Sequence, residues 1–426
     1  MKRLIVGTVA LLVSVSACTE RQGTEEKEPD INWNNLTITE ADAAVNWGTD
    51  ETQAVTYRET GLPVIYIDTP DGSELDASEE KTPTEGCSIK VEGSDGTVIL
   101  ESVCRTKVRG NSSRTYPKKG YNLKFEKKTS LLGMPKSKKW CLLANWADKS
   151  FLRNRTAFLL SERTDLKWTP RSEYAELVLN GTHLGTYQVT EAVGIGADKV
   201  NLSDDGALLE LDTYFDADYK FYSEKKRMPY TFKDPDNPTE ALFQQIQDYV
   251  NEFESSLYDV EKLKGGDYNK YIDVNSFIDF ILVNEVCGNG ELKFPKSFYL
   301  SKDKDAPMYA GPVWDFDYET FLSAYSNSIV VLKTTYFAFL LNDPDYVTKL
   351  KERWNTLKLE FEKVLPEIDA EAKVLEKSQS INLPMWPAET GSINGEYGMT
   401  YRQTVETLKL NFIRKILWMD KYIKLM

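Results

Sequence analysis

The alternation of apolar and polar residues predicts short β-strands in the first half of the chain. Residues 64–67 and 121–125 alternate with the period of two that a half-buried strand shows. Two hairpins are indicated by tight-turn dipeptides between such runs, Asp95-Gly96 within residues 87–104 and Asn180-Gly181 within residues 174–190. His183 follows the second turn, so we expect it to be an exposed hairpin residue.

The apolar period changes to that of helices in the second half of the chain. Apolar residues recur at helical spacing in stretches 241–256, 274–286, 336–341, 346–364 and 402–423. A further helix is expected after Asp148, whose side chain suits an N-cap. A β-rich half followed by a helical half predicts an α+β fold with two lobes around one cleft.

The first 17 residues have the pattern of a secretory signal peptide. A basic start is followed by an apolar run over residues 4–15, which is too short for a permanent membrane-spanning helix. The tetrapeptide ending at Cys18 resembles a lipobox, which predicts a lipid anchor on Cys18; an ordinary signal peptide is the alternative. We therefore expect a protein held at the cell envelope, at the outer membrane or the cell surface, and anchored to the membrane through that lipid.

The predicted domain organisation follows from this start. Residues 1–17 are the signal peptide, 18–35 an acidic tether, 36–61 an N-terminal extension and 62–426 one domain. No later stretch reaches 18 uninterrupted apolar residues. The oligomeric state is left open by the sequence.

Composition excludes several classes of function. The 426 residues contain 52 Lys and Arg against 66 Asp and Glu, a net charge of −14 that would repel a polyanion, so nucleic acid is not expected as a partner. His183 is the only histidine, which argues against histidine-based nucleophile systems and multi-histidine zinc sites. Any chemistry must rest on carboxylates, lysines, arginines or a hard cation.

Four cysteines follow Cys18, and two of them lie at the ends of the first predicted hairpin. Pairing of the two strands would bring Cys87 and Cys104 together, and an oxidising envelope would allow a disulfide between them. Two buried free thiols are the alternative. There is no C-x-x-C motif, so a redox or zinc role has no support.

Basic residues are concentrated in one part of this acidic chain. Residues 105–155 contain fifteen Lys and Arg against two acidic residues. Within them, Arg109-Gly-Asn-Ser-Ser-Arg114 places a glycine in a polar turn whose backbone N–H groups can face a ligand beside guanidinium groups. This pattern predicts an anion site, most simply for phosphate; a solvated lysine-rich surface is the alternative.

An acidic pair lies in the stretch 310–318, which is interpreted as the end of a strand. Alternation would put Asp315 and Asp317 on one face and Trp314 and Phe316 on the other. Two carboxylates on one face need neutralisation, for which Mg²⁺ or Mn²⁺ is suited. Further candidate acids facing the cleft are Glu191, Glu210, Asp212, Glu285 and Glu291.

Five segments together resemble the spore coat protein H (CotH) kinase family, an atypical group of protein-kinase-like proteins. They are RGNSSRTYPKKGYNLKF at 109–125, LLANWADKSFLRN at 142–154, LNGTHLGTY at 179–187, LLELD at 208–212 and GPVWDFD at 311–317. The resemblance runs from about residue 62 to the C-terminal helix. It implies a two-lobed kinase-like fold and metal-dependent transfer of the γ-phosphate of ATP to Ser or Thr of a protein substrate.

The resemblance also implies roles for particular residues. Asp315 would be the metal-binding aspartate, joined at the Mg²⁺ or Mn²⁺ site by Asp317 of the acidic pair described above. Lys118 or Lys124 would grip a phosphate, with Glu191 or Glu210 as its ion-pair partner. Arg109 would contribute to the nucleotide site, and Trp314 and Tyr116 would pack on the adenine. Phosphoryl transfer relies on such positioning and charge neutralisation, and it needs no histidine.

Two positions depart from the family pattern. Glu291 stands where the family generally has the aspartate that acts as catalytic base, and Ser297 stands near where an asparagine is the second metal ligand. An extra methylene moves a carboxylate by roughly a bond length, and a misplacement of about 1 Å can cost ~100-fold in rate. The alternative to an active kinase is therefore a catalytically degenerate kinase-like fold that binds a glycan or a protein at the cell surface. A sugar transferase of the Asp-x-Asp type would share only the metal aspartates and the anion site.

Overall fold

Seven strands from the first half of the chain close into a barrel. The computed structural model describes residues 31–49, 51, 53–387 and 394–426, so the predicted signal peptide and Cys18 lie outside the described residues. The barrel strands are β1 (Val64–Asp68), β2 (Thr84–Glu92), β3 (Val98–Val108), β4 (Tyr121–Thr129), β5 (Ser137–Leu143), β6 (Ser172–Leu179) and β7 (Thr182–Glu191). Their order is β1-β2-β3-β4-β5-β7-β6. Both predicted hairpins are confirmed, as the pairs β2/β3 and β6/β7.

The closed barrel is a difference from the kinase-like lobe that the resemblance implies. Strand β1 pairs in parallel with β6, so the two edges that an open sheet would expose hydrogen-bond to each other. Inward residues of the strands form the barrel core; on β4, Leu123 and Phe125 are buried inside while Lys124 points outward. The alternation seen in the sequence is therefore that of barrel strands.

A second, antiparallel sheet and most of the helices follow the barrel. The strands are β8 (Ala207–Leu211), β9 (Lys220–Tyr222), β10 (Pro229–Asp234), β11 (Phe298–Lys302) and β12 (Tyr309–Ala310), in the order β12-β11-β8-β10-β9. The helices are α1 (Arg153–Glu162), α2 (Glu240–Leu257), α3 (Val260–Lys264), α4 (Val274–Cys287), α5 (Phe337–Leu340), α6 (Pro344–Glu362), α7 (Leu365–Met385) and α8 (Tyr401–Lys424). The predicted α+β class, β-rich first and helical later, is confirmed.

Two local expectations were wrong in detail. Helix α1 begins at Arg153 with Leu152 at the N-cap; Asp148 instead accepts a hydrogen bond from the Arg153 N–H at 2.9 Å, from five residues upstream. His183 is only partly exposed, because its ring hydrogen-bonds to Glu176 at 2.8 Å and packs against the Tyr57 ring, with the ring centroids 4.6 Å apart.

The sequence left open whether Cys87 and Cys104 form a disulfide or remain free thiols, and in the structure they are not bonded. Cys87 and Cys104 are direct partners across β2 and β3, yet both are free and buried. Their sulfur atoms turn to different neighbours, Cys87 to the Thr84 carbonyl and Cys104 to the Thr106 hydroxyl, each at 3.4 Å. Free buried thiols, the alternative, are what the structure contains.

The N-terminal extension packs on the late helices. The Thr37 N–H donates to Glu362 of α6 at 3.0 Å, and the Trp47 indole donates to Glu406 of α8 at 3.1 Å. Residues 33–426 form one unit. Within the part of the chain that the structure describes, no helix is both long and apolar enough to span a bilayer.

Candidate functional site

A cavity of about 570 Å³ opens between the barrel and the second sheet. Its barrel wall is the turn after β3, from Arg109 to Tyr116. Its opposite wall comes from β8, β10 and β11, from the turn after α4 and from the stretch that contains Trp314, Asp315 and Asp317. The cavity therefore collects residues from several separate segments of the chain.

The stretch with the paired aspartates is not a strand, contrary to the sequence-based expectation. Strand β12 ends at Ala310, and Asp315 adopts a left-handed conformation with φ of 69°, which breaks the alternation. Asp315 and Asp317 both line the cavity, but so does Trp314, which was expected on the other face. Phe316 does point into the core.

The electrostatics of the aspartate pair reflect burial and mutual repulsion. Burial, and then the charge of Asp315, raise the pKa of Asp317 to about 8. Burial also raises the pKa of Asp315, while the Arg109 guanidinium and a hydrogen bond from the Ser297 hydroxyl oppose that rise. An added positive charge at this place would relieve the repulsion.

Glu291 reaches the same cavity from a short 3₁₀ turn after α4. Gly288 ends α4 in a left-handed conformation with φ of 64°, and the turn Gly290–Lys293 follows directly. One carboxylate oxygen of Glu291, Oε1, accepts a hydrogen bond from Lys296 at 3.3 Å. Burial, and then the charge of Asp315, raise the pKa of Glu291 to about 7. Such a carboxylate can exchange a proton near neutral pH.

The cavity has a cationic side as well as an acidic one. Arg109, at the end of β3, lies over the Trp314 ring with 5.7 Å from its guanidinium carbon to the ring centroid. Lys233 on β10 forms an ion pair with Glu210 on the neighbouring strand β8, at 2.8 Å. Glu210 was predicted to be the partner of a lysine, but Lys233 was missed as that lysine.

Two predicted site residues, Lys118 and Glu191, do not line the main cavity. Lys118 is buried in the core, where its ammonium donates to Asn382 at 2.8 Å and to the Thr186 carbonyl, and burial lowers its pKa. Glu191 is held by Arg171 through two contacts of 2.7 and 2.9 Å. Lys118 does line a small adjoining cavity of about 30 Å³ that Arg109, Asp315 and Asp317 also line, whereas Glu191 does not.

A second cavity, of about 410 Å³, adjoins the first. It is lined by Arg105, Lys107, Lys124 and Lys139, and it shares Arg109, Lys233, Tyr299 and Trp314 with the main cavity. Burial lowers the pKa of Lys107, and the neighbouring cations, Lys81 first, add to this effect. Lys124 thus belongs to the cationic cavity, next to the one that holds the aspartates.

Aromatic rings border the main cavity. Tyr116 packs on Trp146 with ring centroids 4.6 Å apart, and Trp314 packs on Phe158 with centroids 6.2 Å apart. Tyr116 and Trp314, the two residues predicted to pack on adenine, therefore line the main cavity, and a second aromatic ring packs behind each of them.

The donor set around Asp315 fits a hard cation that is only partly held by protein. Asp315, Asp317 and Ser297 offer oxygen atoms alone, which suits Mg²⁺ or Mn²⁺. Across the described ranges, no three His, Cys, Asp or Glu side chains are grouped so that they could hold a metal ion. Mg²⁺ is commonly bound by one or two carboxylates and completed by substrate phosphates and water, so the site fits a metal that arrives with a phosphate ligand.

The raised carboxyl pKa values predict how stability depends on pH without metal. Between about pH 5 and 8 the folded protein keeps protons on Asp317 and Glu291 that the unfolded chain has lost, so the stability of the metal-free protein falls as pH rises. We expect Asp317→Asn to make this fall shallower. Thermal melting with a chelator from pH 5.5 to 8.5 measures it; equal slopes for wild type and variant would contradict the assignment.

Paired carboxylates, an arginine and a lysine–glutamate pair lie in one cleft. The chain belongs to the CotH kinase protein family, whose model matches residues 106–415. A search of the curated proteins gave no match. Family membership supports the kinase-like class of the protein, and the match includes the aspartates, Glu291, Arg109 and Lys233.

Proposed function

We propose that the protein is a metal-dependent phosphotransferase that moves the terminal phosphoryl group of ATP to a serine or threonine hydroxyl of a protein. The observation that carries the proposal is one cavity of about 570 Å³ in which Asp315, Asp317 and Glu291 face the cations Arg109 and Lys233. Acidic groups for a metal and a proton thus stand beside cationic groups for phosphates.

Asp315 and Asp317 would hold Mg²⁺ or Mn²⁺, with the Ser297 hydroxyl beside Asp315. The metal, when bound, neutralises charge on the phosphates during transfer. The protein would hold the carboxylate oxygens of Asp315 and Asp317 in place through the backbone of the segment that carries them. Ser297, which itself adopts a left-handed conformation with φ of 52°, contributes a shorter donor than the asparagine that the family resemblance implies.

The nucleotide would lie where the two cavities meet, at Arg109, Lys233 and Trp314. Arg109 offers a forked donor to phosphate oxygens, and the Glu210 carboxylate holds the Lys233 ammonium in place at 2.8 Å. The rings of Trp314 and Tyr116 provide flat surfaces for the base. Lys124, in the adjoining cavity, adds positive potential along the phosphate chain.

Glu291 would accept the proton of the acceptor hydroxyl. Lys296 holds its Oε1 atom at 3.3 Å, so we assign Oε2 as the atom that takes the proton. The hydroxyl oxygen then forms a bond to the terminal phosphorus as the bond from that phosphorus to the bridging oxygen breaks, and ADP leaves. The lipid anchor on Cys18 would place this reaction at the cell envelope, where the acceptor protein would also lie.

Binding of nucleotide and metal is the first test of this proposal. A ligand that binds only the folded state raises the melting temperature with its free concentration. We expect ATP with Mn²⁺ to raise the melting temperature of the wild type and of Lys127→Met, an exposed lysine on β4 outside both cavities. Lys233→Met, which removes the partner of Glu210, should lose most of that rise. No shift with any nucleotide in the presence of either metal would contradict the proposal.

A second candidate function is binding without catalysis. It is favoured by the aromatic side chains around the cavity, among them Tyr214, Tyr318 and Trp314, together with the replacement of aspartate by Glu291. Such a cavity could receive a glycan or a protein segment. A stabilising effect of oligosaccharides, combined with none from nucleotides, would favour this binding function.

A further inference from the structure

The segment that carries the two aspartates has an unusual backbone. It has no regular secondary structure, and three of its non-glycine residues adopt left-handed conformations: Asp315, Glu319 and Phe321, with φ of 69°, 50° and 52°. Side chains disfavour this conformation, which persists only where the surroundings determine it. The contacts that hold residues 315–321, called the aspartate segment below, therefore determine where the two carboxylates lie.

One set of contacts is a chain of buried amides. The Asn154 Oδ1 atom accepts a hydrogen bond at 2.7 Å from the N–H of Phe316, the residue between the two aspartates. The Asn154 amide group donates to Asn145 at 3.3 Å, and Asn145 donates to Gln188 on β7 at 3.0 Å. Asn145, Asn154 and Gln188 are each 2% exposed or less. These three amide side chains thus connect strand β7 of the barrel to the backbone between Asp315 and Asp317.

A second set of contacts comes from Asn394, just before α8. Its amide group donates to the Asp317 carbonyl at 2.9 Å and to the Ala147 carbonyl at 2.6 Å, while its oxygen accepts from the Glu319 N–H at 3.0 Å. One side chain therefore bonds the backbone on both sides of Tyr318. It also ties that backbone to the loop that contains Asn145.

Arg153 completes the arrangement. Its guanidinium donates to the Thr320 carbonyl at 3.1 Å and is held between Asp148 at 2.6 Å and Glu396 at 2.5 Å. Arg153, Asp148 and Glu396 are all buried. Four backbone groups of the aspartate segment, those of Phe316, Asp317, Glu319 and Thr320, are thus bound by Asn154, Asn394 and Arg153.

We infer that Asn154 and Asn394 are positioning residues that fix the Asp315 and Asp317 carboxylates for metal binding, and that the stretch 142–154 serves this role. The effect on metal binding rests on the proposed function, whereas the effect on the position of the carboxylates rests only on the contacts described above. This role explains part of the family-like stretch 142–154, because Asn154 and Arg153 hydrogen-bond to the backbone of residues 315–321 from outside the main cavity. Partners of metal ligands commonly change metal affinity about 10- to 100-fold when mutated.

The test compares Asn154→Leu, which removes the acceptor for the Phe316 N–H, with Asn154→Asp, which keeps an oxygen there. The control is Gln379→Leu on α7, a buried amide that bonds Thr186 and Asn382 and does not contact the aspartate segment. Asn394→Leu, which removes the contacts to Asp317 and Glu319, is a second independent variant should Asn154→Leu fail to fold. All are made in the full chain.

Two measurements are made on each variant. Hydrogen exchange of a peptide covering residues 313–321 should accelerate at least ~10-fold in Asn154→Leu, should change little in Asn154→Asp, and should be unchanged in Gln379→Leu. The affinity for Mn²⁺ in the presence of ATP should fall ~10- to 100-fold in Asn154→Leu and recover in Asn154→Asp.

The two measurements separate the inference from the proposed function. Unchanged exchange in both Asn154→Leu and Asn394→Leu would overturn the inference whatever the ligand does. Faster exchange with unchanged Mn²⁺ affinity would also overturn it, because the carboxylates would then not depend on these contacts. If the wild type bound neither Mn²⁺ nor ATP, the proposed function would fail, and the exchange of residues 313–321 alone would decide whether the two asparagines position this segment.

Discussion

Asp315→Asn should abolish metal-dependent nucleotide binding and reduce any phosphoryl transfer by about 1,000-fold. The carboxylate lines the main cavity beside Ser297 and near Asp317, where a positive charge would relieve the mutual repulsion. An amide cannot supply that negative charge, although its size is the same. Removing one protein group that stabilises the charge of a transition state typically lowers the rate by about 100- to 1,000-fold.

The measurement is the melting temperature with ATP and Mn²⁺, followed by a titration of Mn²⁺ at saturating ATP. The control is Asp205→Asn, which removes an exposed carboxylate that pairs with Lys304 outside the cavity. The control should keep the full ligand-induced shift, whereas Asp315→Asn should show none. If Asp315→Asn bound ATP and Mn²⁺ as tightly as the wild type, Asp315 would not be a metal ligand.

Glu291→Gln should lower phosphoryl transfer by about 100- to 10,000-fold while the protein still binds ATP and Mn²⁺. Glutamine keeps the shape of the side chain and can still accept from Lys296, but it cannot take the proton of the acceptor hydroxyl. Burial raises the pKa of Glu291 in the metal-free protein. The wild-type rate should rise with pH as this carboxyl group ionises, because the ionised carboxylate is the base.

Glu291→Asp separates the chemistry of the carboxylate from its reach. Aspartate is the residue that the family resemblance implies here, and it keeps a base at the cost of one methylene. We expect Glu291→Asp to retain more transfer than Glu291→Gln, with nucleotide binding unchanged in both. Full activity of Glu291→Gln in a labelled-phosphate assay would exclude Glu291 as the base.

Local patterns were sufficient for much of the fold. The two hairpins depend on Asp95-Gly96 and Asn180-Gly181 turns between alternating residues, and the long helices depend on a period that a short window contains. Closure of the barrel could not be predicted in this way, because β1 pairs with β6, more than 100 residues along the chain. Helix α7 was missed because Pro366 and Pro384 resemble helix breakers, although the first lies where helices tolerate proline.

The same distinction holds for the site. Motifs placed Asp315, Asp317, Arg109 and Glu291 near one another, and the structure brings all four to one cavity. Lys118 was predicted to grip a phosphate, and its ammonium donates to Asn382, 264 residues away, a contact that no motif indicates.

The missed lysine shows why side-chain partners are harder to predict than motifs. Lys233 carries no motif. Its importance comes from the pairing of β10 with β8, which puts Thr231 opposite Glu210 and lets Lys233, two residues further along, reach the Glu210 carboxylate. Motifs predict which segments meet. The choice among several similar side chains depends on tertiary contacts.

Transfer of a labelled γ-phosphate from ATP tests the central claim most directly. The purified wild type, with Mn²⁺ or Mg²⁺ and with envelope proteins as acceptors, should label serine or threonine, and Asp315→Asn and Glu291→Gln should not. Labelling that persists in both variants would show that a contaminating kinase or another site is responsible. No labelling by a folded wild type that binds ATP would contradict phosphotransfer and leave nucleotide binding as the function of the cavity.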